Sequence, residues 1–216
     1  MKIVKQSYEI LSPIDADYIY KQIERAARTC YKSEDKIKDG SAEKMVRALV
    51  RNQHEAMLEH ASITVKFVTD RAIANEIVRH RLCSYAQEST RYVNYKDGIE
   101  FIEPIFNHGE EHDQAFLEWS SLCNYAENAY GNIIASGCTP EEARSVLPLS
   151  TKTEIVVTAN LRELRHIFDL RVLGITGAPH PQIRELMAPL LKELAEKLPV
   201  IFGDQYEVYK DHFTKA

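Results

Sequence analysis

The stretch Arg79-His80-Arg81-Leu82-Cys83-Ser84-Tyr85-Ala86-Gln87-Glu88-Ser89-Thr90-Arg91-Tyr92 crowds three arginines, a histidine and two serines into fourteen positions. With three Arg against one Glu it carries a local charge of +2, inside a chain whose net charge is −5. Charge set against the sign of the whole protein marks a place where an anion is held. Phosphate suits this set best, because the planar fork of Arg matches two phosphate oxygens at once and serine hydroxyls complete the cradle. The flanking pattern places the stretch in a fold. Upstream, Ser62 to Thr69 alternates as a half-buried strand does, and Asp70 then reads as the N-cap of a helix from Arg71 to about His80. In that helix Ile73 and Ile77 face a core, while Glu76 and Arg79 share another face. If the chain beyond Glu88 is extended, Ser89 and Arg91 point to one side and Thr90 and Tyr92 to the other.

Outward from this centre, residues 2–11 read as a strand and 15–31 as a helix with Ile19, Ile23, Ala26 and Ala27 at helical spacing. A polar loop over 33–40 leads to a capped helix start at Ser41-Ala42-Glu43-Lys44 that continues through Val46, Leu49 and Val50. Residues 91–95 return to strand-like composition. Residues 110–136 form a long amphipathic helix closed by Gly137, 141–146 a short helix stopped near Pro148, and 154–158 a strand. Two more helices cover 161–173 and 183–198. More helix than strand, without a linker rich in Pro, Gly or Ser, predicts a single mixed α+β domain over residues 1–216.

Composition excludes several classes. At 44% hydrophobic and 27% charged residues, with a mean hydropathy of −0.34, the chain reads as an ordinary soluble protein. No apolar run approaches the roughly 20 residues of a membrane span. Met1-Lys2-Ile3-Val4-Lys5 enters strand-like sequence directly, with no apolar export signal, so a cytoplasmic location is expected. Cys30, Cys83, Cys123 and Cys138 are scattered, fit neither a disulfide framework nor a zinc ribbon, and read as reduced thiols. A pI near 5.9 argues against general nucleic-acid binding.

Arg79-His80-Arg81, followed after seven residues by Ser89 and extended by Arg91-Tyr92, resembles the signature of the flavin-dependent thymidylate synthases. Other segments fit in chain order. His54-Glu55-Ala56-Met57-Leu58-Glu59-His60 resembles the family's upstream segment, Ala143-Arg144-Ser145-Val146-Leu147-Pro148 the one whose arginine grips the nucleotide, and Asn160 through His166 to Arg171 a third. Glu76, Glu88 and Ala56 depart from the residues common there, and Gly174 to Pro181 looks like an insertion of about three residues. The resemblance implies a mixed fold with an antiparallel sheet and several long helices. It implies reductive methylation of dUMP to dTMP, with 5,10-methylenetetrahydrofolate as one-carbon donor, FAD as redox carrier and NADPH as reductant. It also implies a homotetramer whose sites are shared between subunits.

By the same resemblance, dUMP is contacted by Glu76, Arg79, Gln87, Glu88, Ser89, Arg91, Arg144 and Arg171, and Arg171 is catalytic, stabilising negative charge on the uracil. FAD is contacted by His54, Ala56, Glu59, Arg79, His80, Arg81, Gln87, Asn160, Arg162 and His166. The helix over 161–173 permits this on geometry alone: Leu161, Leu164, Phe168 and Val172 make an apolar stripe, with Arg162 and His166 on one flank and Arg171 on the other. No Gly-x-Gly-x-x-Gly loop is present to bind a dinucleotide. Ser89 and Cys83 are tempting nucleophiles, but no Ser-His-acid set is readable and a reduced flavin can deliver the hydride, so no covalent protein nucleophile is expected.

Two other classes are weighed. A nucleotide or RNA-binding module would stack bases on Tyr85, Tyr92 and Tyr95, against the acidic total charge. A metal-dependent hydrolase would use His54, His60 and His80. A zinc-protease helix needs His at i and i+4, where Leu58 stands, and on a helix His60 lies about 240° around from His54. No metal is expected.

Overall fold

The computed structural model describes residues 1–106 and 113–213. The strands are β1 (Lys2–Val4), β2 (Ser7–Ile10), β3 (Ser62–Asp70), β4 (Cys83–Gln87), β5 (Glu100–Ile102) and β6 (Lys152–Asn160). The helices are α1 (Ala16–Thr29), α2 (Ser41–Arg51), α3 (Arg71–Ile77), α4 (Asp113–Ala135), α5 (Pro140–Ala143), α6 (Leu161–Phe168), α7 (Pro181–Lys197) and α8 (Pro199–Phe213). The part of the long helix expected at 110–112 lies outside the described residues.

Four strands form one sheet in the order β2-β3-β6-β4. Its strands run antiparallel: Gln6 meets Thr69 while Leu11 meets Thr64, and Lys66 meets Glu154 while Thr64 meets Thr158. Burial alternates along β3 and β6, so Ile63, Val65 and Phe67, with Ile155, Val157 and Ala159, line one buried face. The expected single strand over 2–11 breaks at Lys5-Gln6 and serves two sheets. β1 pairs with β5 in parallel, in the register Lys2 with Glu100 and Val4 with Ile102.

The chain divides into two compact units, and β3 and β6 each run from one into the other. The first comprises Met1–Glu9, Lys66–Arg79 and Tyr85–Val156. Its core gathers Ile99, Phe101, Cys123, Tyr130 and Ala143, with Trp119 and Tyr95 packed against it. Asp70 caps α3 as expected, accepting from the Ile73 amide at 2.7 Å. α3 stops at Ile77, and a capping box between Thr139 and Glu142 starts α5 one residue before the expected point. The chain beyond Glu88 is a turn and no strand: Tyr92 and Val93 amides both donate to the Ser89 carbonyl. The strand is β4, inside the signature.

The second unit comprises Ile10–Val65, His80–Ser84 and Val157–Ala216. α1 packs on α2, α2 on α8 and α7 on α8. Phe168 and Phe202 are fully buried and meet edge to face at 5.7 Å, a contact worth about 1 kcal/mol beyond the area it buries. The Leu161, Leu164, Phe168 and Val172 stripe is buried throughout. Ser41 does not cap α2. Gly40, at φ 71°, occupies the cap position, and the buried Ser41 hydroxyl donates to Glu24 Oε2 at 2.9 Å. That carboxylate, 1% exposed, also accepts from Arg28, which is how a charge sits on the apolar face of α1. No described helix is long and apolar enough to cross a membrane.

Candidate functional site

In the second unit a cleft of about 370 Å³ is lined by Glu55, Glu59, Asn160, Arg162, Glu163, His166 and Asp169, with Leu82. Helix starts and turns place these groups. Asn160 caps α6, its Oδ1 accepting from the Glu163 amide at 2.8 Å. Arg162, one residue inside the helix, donates to Glu59 Oε1 at 2.6 Å across 103 positions of sequence. Glu59 lies on a 3-10 turn over Glu55–His60, and Glu55 accepts from Arg165 at 2.8 Å. Of the four cleft carboxylates, Glu55 and Glu59 are thus engaged by arginines, and the remaining Arg162 N–H groups, the His166 ring and the Asn160 amide can donate toward a ligand. Burial pushes the Glu163 and Asp169 carboxyls up; for Asp169 a hydrogen bond from Gln205 opposes it.

Immediately after α6 the chain widens into a π turn, Asp169–Leu173, closed by Gly174 at φ 71°. Arg171 sits in it and donates from Nε to His80 Nε2 at 3.1 Å. His80 is 5% exposed, with Nδ1 3.7 Å from Glu163 Oε1 and its ring 6.2 Å from that of His166. Burial, then the Arg171 and His166 charges, lower its pKa to about 4. Gly174 leads into a compact turn, its carbonyl accepting from Gly177, before His180 caps α7. The segment read as an insertion is therefore a tight connection.

The first unit holds the other set. Arg91 pairs with Glu141 at 2.9 Å and lies over the Tyr92 ring, and Arg144 donates to Thr90 Oγ1 at 3.4 Å. Ser89 Oγ accepts from the Arg91 amide at 3.3 Å. Glu88 is knotted: Tyr95 donates to its carboxylate, Lys152 lies 3.7 Å away and Arg71 donates to its carbonyl. Burial, then the Glu88 contact, pushes the Tyr95 hydroxyl up. Gln87 donates to Thr153 at 3.3 Å. Arg79 is exposed beyond α3, and Glu76 is half-buried.

The turn over 89–92, with Arg144, thus forms one exposed cationic set. Of the residues expected at a flavin, Glu59, Asn160, Arg162 and His166 share the cleft. His54 and Ala56 lie on or beside the 3-10 turn and, like Arg81, are exposed without lining the cleft; His80 is buried behind it. Sequence reasoning missed Glu163 and Asp169. An Asn-x-x-Glu start to a helix was the available signal for Glu163, since a carboxylate in the first turn meets the helix dipole.

Fold and site together define a class: a mixed α+β protein with a cationic turn for an anion and a separate cleft of paired carboxylates, arginine and histidine. The fold is also that of a solved structure of a UMP/dUMP methylase, PolB, from Streptomyces cacaoi, bound with 5-Br dUMP; the two match at a TM-score of 0.80 and 24% identity over 98% of this chain and 97% of that one. The profile of the family described as thymidylate synthase complementing protein matches residues 16–200. A flavin-dependent thymidylate synthase of Geobacter sulfurreducens is 34% identical over 188 residues, 83% of this chain and 78% of its own. One from Pyrococcus furiosus is 32% identical over 165 residues, 76% of this chain and 66% of its own, so this chain spans about two thirds of that relative. The chain belongs to the flavin-dependent thymidylate synthase family.

Proposed function

We propose that this protein is a flavin-dependent methyltransferase that converts dUMP to dTMP, taking the carbon from 5,10-methylenetetrahydrofolate and the reducing equivalents from NADPH. The observation that carries this reading is the convergence of Glu59, Asn160, Arg162 and His166, expected at the flavin from two segments about a hundred residues apart, on one cleft. FAD presents both phosphates and hydroxyls. Arg162, His166 and Asn160 supply donors for the first, and Glu59 can accept from the second, so the residues fit the group. A cleft of 370 Å³ lies near the lower end of ligand sites, which run from about 300 to 1,000 Å³, and holds only part of so large a cofactor. That incompleteness supports a homotetramer with shared sites.

When bound, FAD supplies the hydride chemistry that no side chain can. The chain's own residues position and polarise. Arg91 and Arg144, with Ser89 on the same turn and Arg79 beyond α3, take the nucleotide phosphate and sugar as fixed donors. Glu76, Gln87 and Glu88 hold that wall in shape, Glu88 through Tyr95 and Lys152. Arg171 sets a permanent positive charge against the uracil, where a preoriented cation contributes about 3 kcal/mol to the transition state. The free thiols of Cys30, Cys83, Cys123 and Cys138 support a reducing, cytoplasmic setting. We take residues 1–216 as one catalytic domain, because β3 and β6 each run through both units.

An absorption spectrum of the purified protein tests the reading. Flavin bands bleached by NADPH, and faster when dUMP is present, are expected. A protein that takes up no flavin and shows no dUMP effect is something else.

A further inference from the structure

Arg171 is held by a histidine. A guanidinium has only donors, so the 3.1 Å contact between Arg171 Nε and His80 Nε2 requires a lone pair on Nε2. His80 is then a neutral imidazole with its proton on Nδ1. That edge faces the Glu163 carboxyl, 3.7 Å away and 6% exposed. Glu163 is in turn placed by the Asn160 cap at the start of α6. Titratable and charged groups facing His80 among the described residues include Arg171 from the π turn, with Glu163 and His166 from α6.

We propose that His80 is a positioning residue for the reaction: as a neutral acceptor, it orients the Arg171 guanidinium without cancelling its charge. The inference rests on the reading of Arg171 as the cation that faces the uracil. A carboxylate could orient the same guanidinium, but its negative charge would offset the field that the developing uracil charge needs. A protonated imidazole could not accept from Arg171 at all. A neutral imidazole does the one without the other. Its low pKa, about 4, agrees with this and keeps the ring neutral through the working range. The π turn has the same effect on Arg171, because a wider turn points its side chain where a continued α-helix would not.

The test is a double-mutant cycle on the FAD-loaded enzyme with a spectroscopic arm. Arg171→Lys should lower kcat strongly. His80→Leu should lower kcat about 10- to 100-fold, the usual effect of removing a group that orients a functional one, measured on FAD-saturated enzyme and with the KM for dUMP little changed. Added to Arg171→Lys, His80→Leu should cost less than twofold further. His80→Gln, whose amide oxygen can accept from Arg171, should recover most of the kcat that His80→Leu loses. Independently, the ¹⁵N resonances of labelled histidine, assigned by their loss in His80→Gln, should show His80 neutral and protonated on Nδ1 at pH 7. That arm stands even if His80→Leu does not fold. Two full effects that multiply, or a His80 charged or protonated on Nε2, would overturn the inference alone. An Arg171→Lys enzyme with unaltered kcat would sink the reading of Arg171 and this inference with it.

Discussion

Arg165 ties the functional helix to the C-terminal one, and removing it should be expensive. Arg165 is 8% exposed; its guanidinium forks onto Asp204 through Nη1 and Nη2 at 2.8 Å each, donates from Nε to Glu55 at 2.8 Å, and bonds the Ile201 carbonyl. In Arg165→Met most of the aliphatic volume stays, so the loss is electrostatic. Breaking a buried pair by deleting one partner costs about 3–5 kcal/mol. Here the partners can rehydrate, since the Asp204 side chain is 51% and Glu55 24% exposed. The lower end, about 3 kcal/mol, is therefore expected. For a chain of this length that lowers Tm by about 6–12 °C. Asp204→Asn leaves Arg165 with Glu55 and should cost only about 1 kcal/mol. Urea unfolding monitored by circular dichroism at 0.1 M and 0.5 M salt measures both, and a buried knot should respond little to salt. An Arg165→Met protein within about 0.5 kcal/mol of the parent would refute the reasoning.

His80 is held at a pKa of about 4 against about 6.5 when unfolded. Between those values the unfolded chain binds the extra proton, so this contribution to stability is lost as pH falls from 6.5 toward 4. From pH 7 to 4.5 the parent should lose roughly 2 kcal/mol more than His80→Gln; parallel stability curves would contradict this. Gly174→Ala should cost about 2 kcal/mol in denaturant unfolding, because φ is 71° and a Cβ would stand 2.8 Å from Pro179 Cδ and 2.9 Å from the Gly177 carbonyl; an unchanged midpoint would show that the turn yields. Arg144→Ala should weaken dUMP binding by about 10-fold or more and leave FAD uptake intact, whereas Arg162→Ala should do the reverse. Calorimetric titration reads both, and a shared loss would mean that the two residues do not serve separate ligands.

What the sequence made legible follows from how local each signal is. The alternation in 62–69 announced β3, the β-branched run in 154–158 announced β6, and the stripe through Leu161, Leu164, Phe168 and Val172 announced α6, because these patterns need only neighbours in the chain. β4 went unread inside the signature. It lies at the sheet edge and is half exposed, so Cys83-Ser84-Tyr85-Ala86-Gln87 lacks apolar alternation. α8 went unread because Pro199 looks like a stop, although Pro is at home in the first turn of a helix. Ser41 was hidden for another reason: it read as a cap, and only its contact with the buried Glu24 carboxylate places it inside. At the site, residue types gave the arginines of the signature, and the family resemblance gave the cleft donors. The tie between His80 and Arg171 spans 91 positions and depends on a π turn that no periodicity encodes.

The central claim is that this chain makes dTMP through a bound flavin. Purified protein supplied with FAD, NADPH, 5,10-methylenetetrahydrofolate and dUMP, with products separated chromatographically, tests it most directly. dTMP should accumulate over many turnovers, stop when any one of the four is omitted, and fall sharply in Arg171→Lys. A protein that binds dUMP and FAD yet forms no dTMP under these conditions would contradict the account.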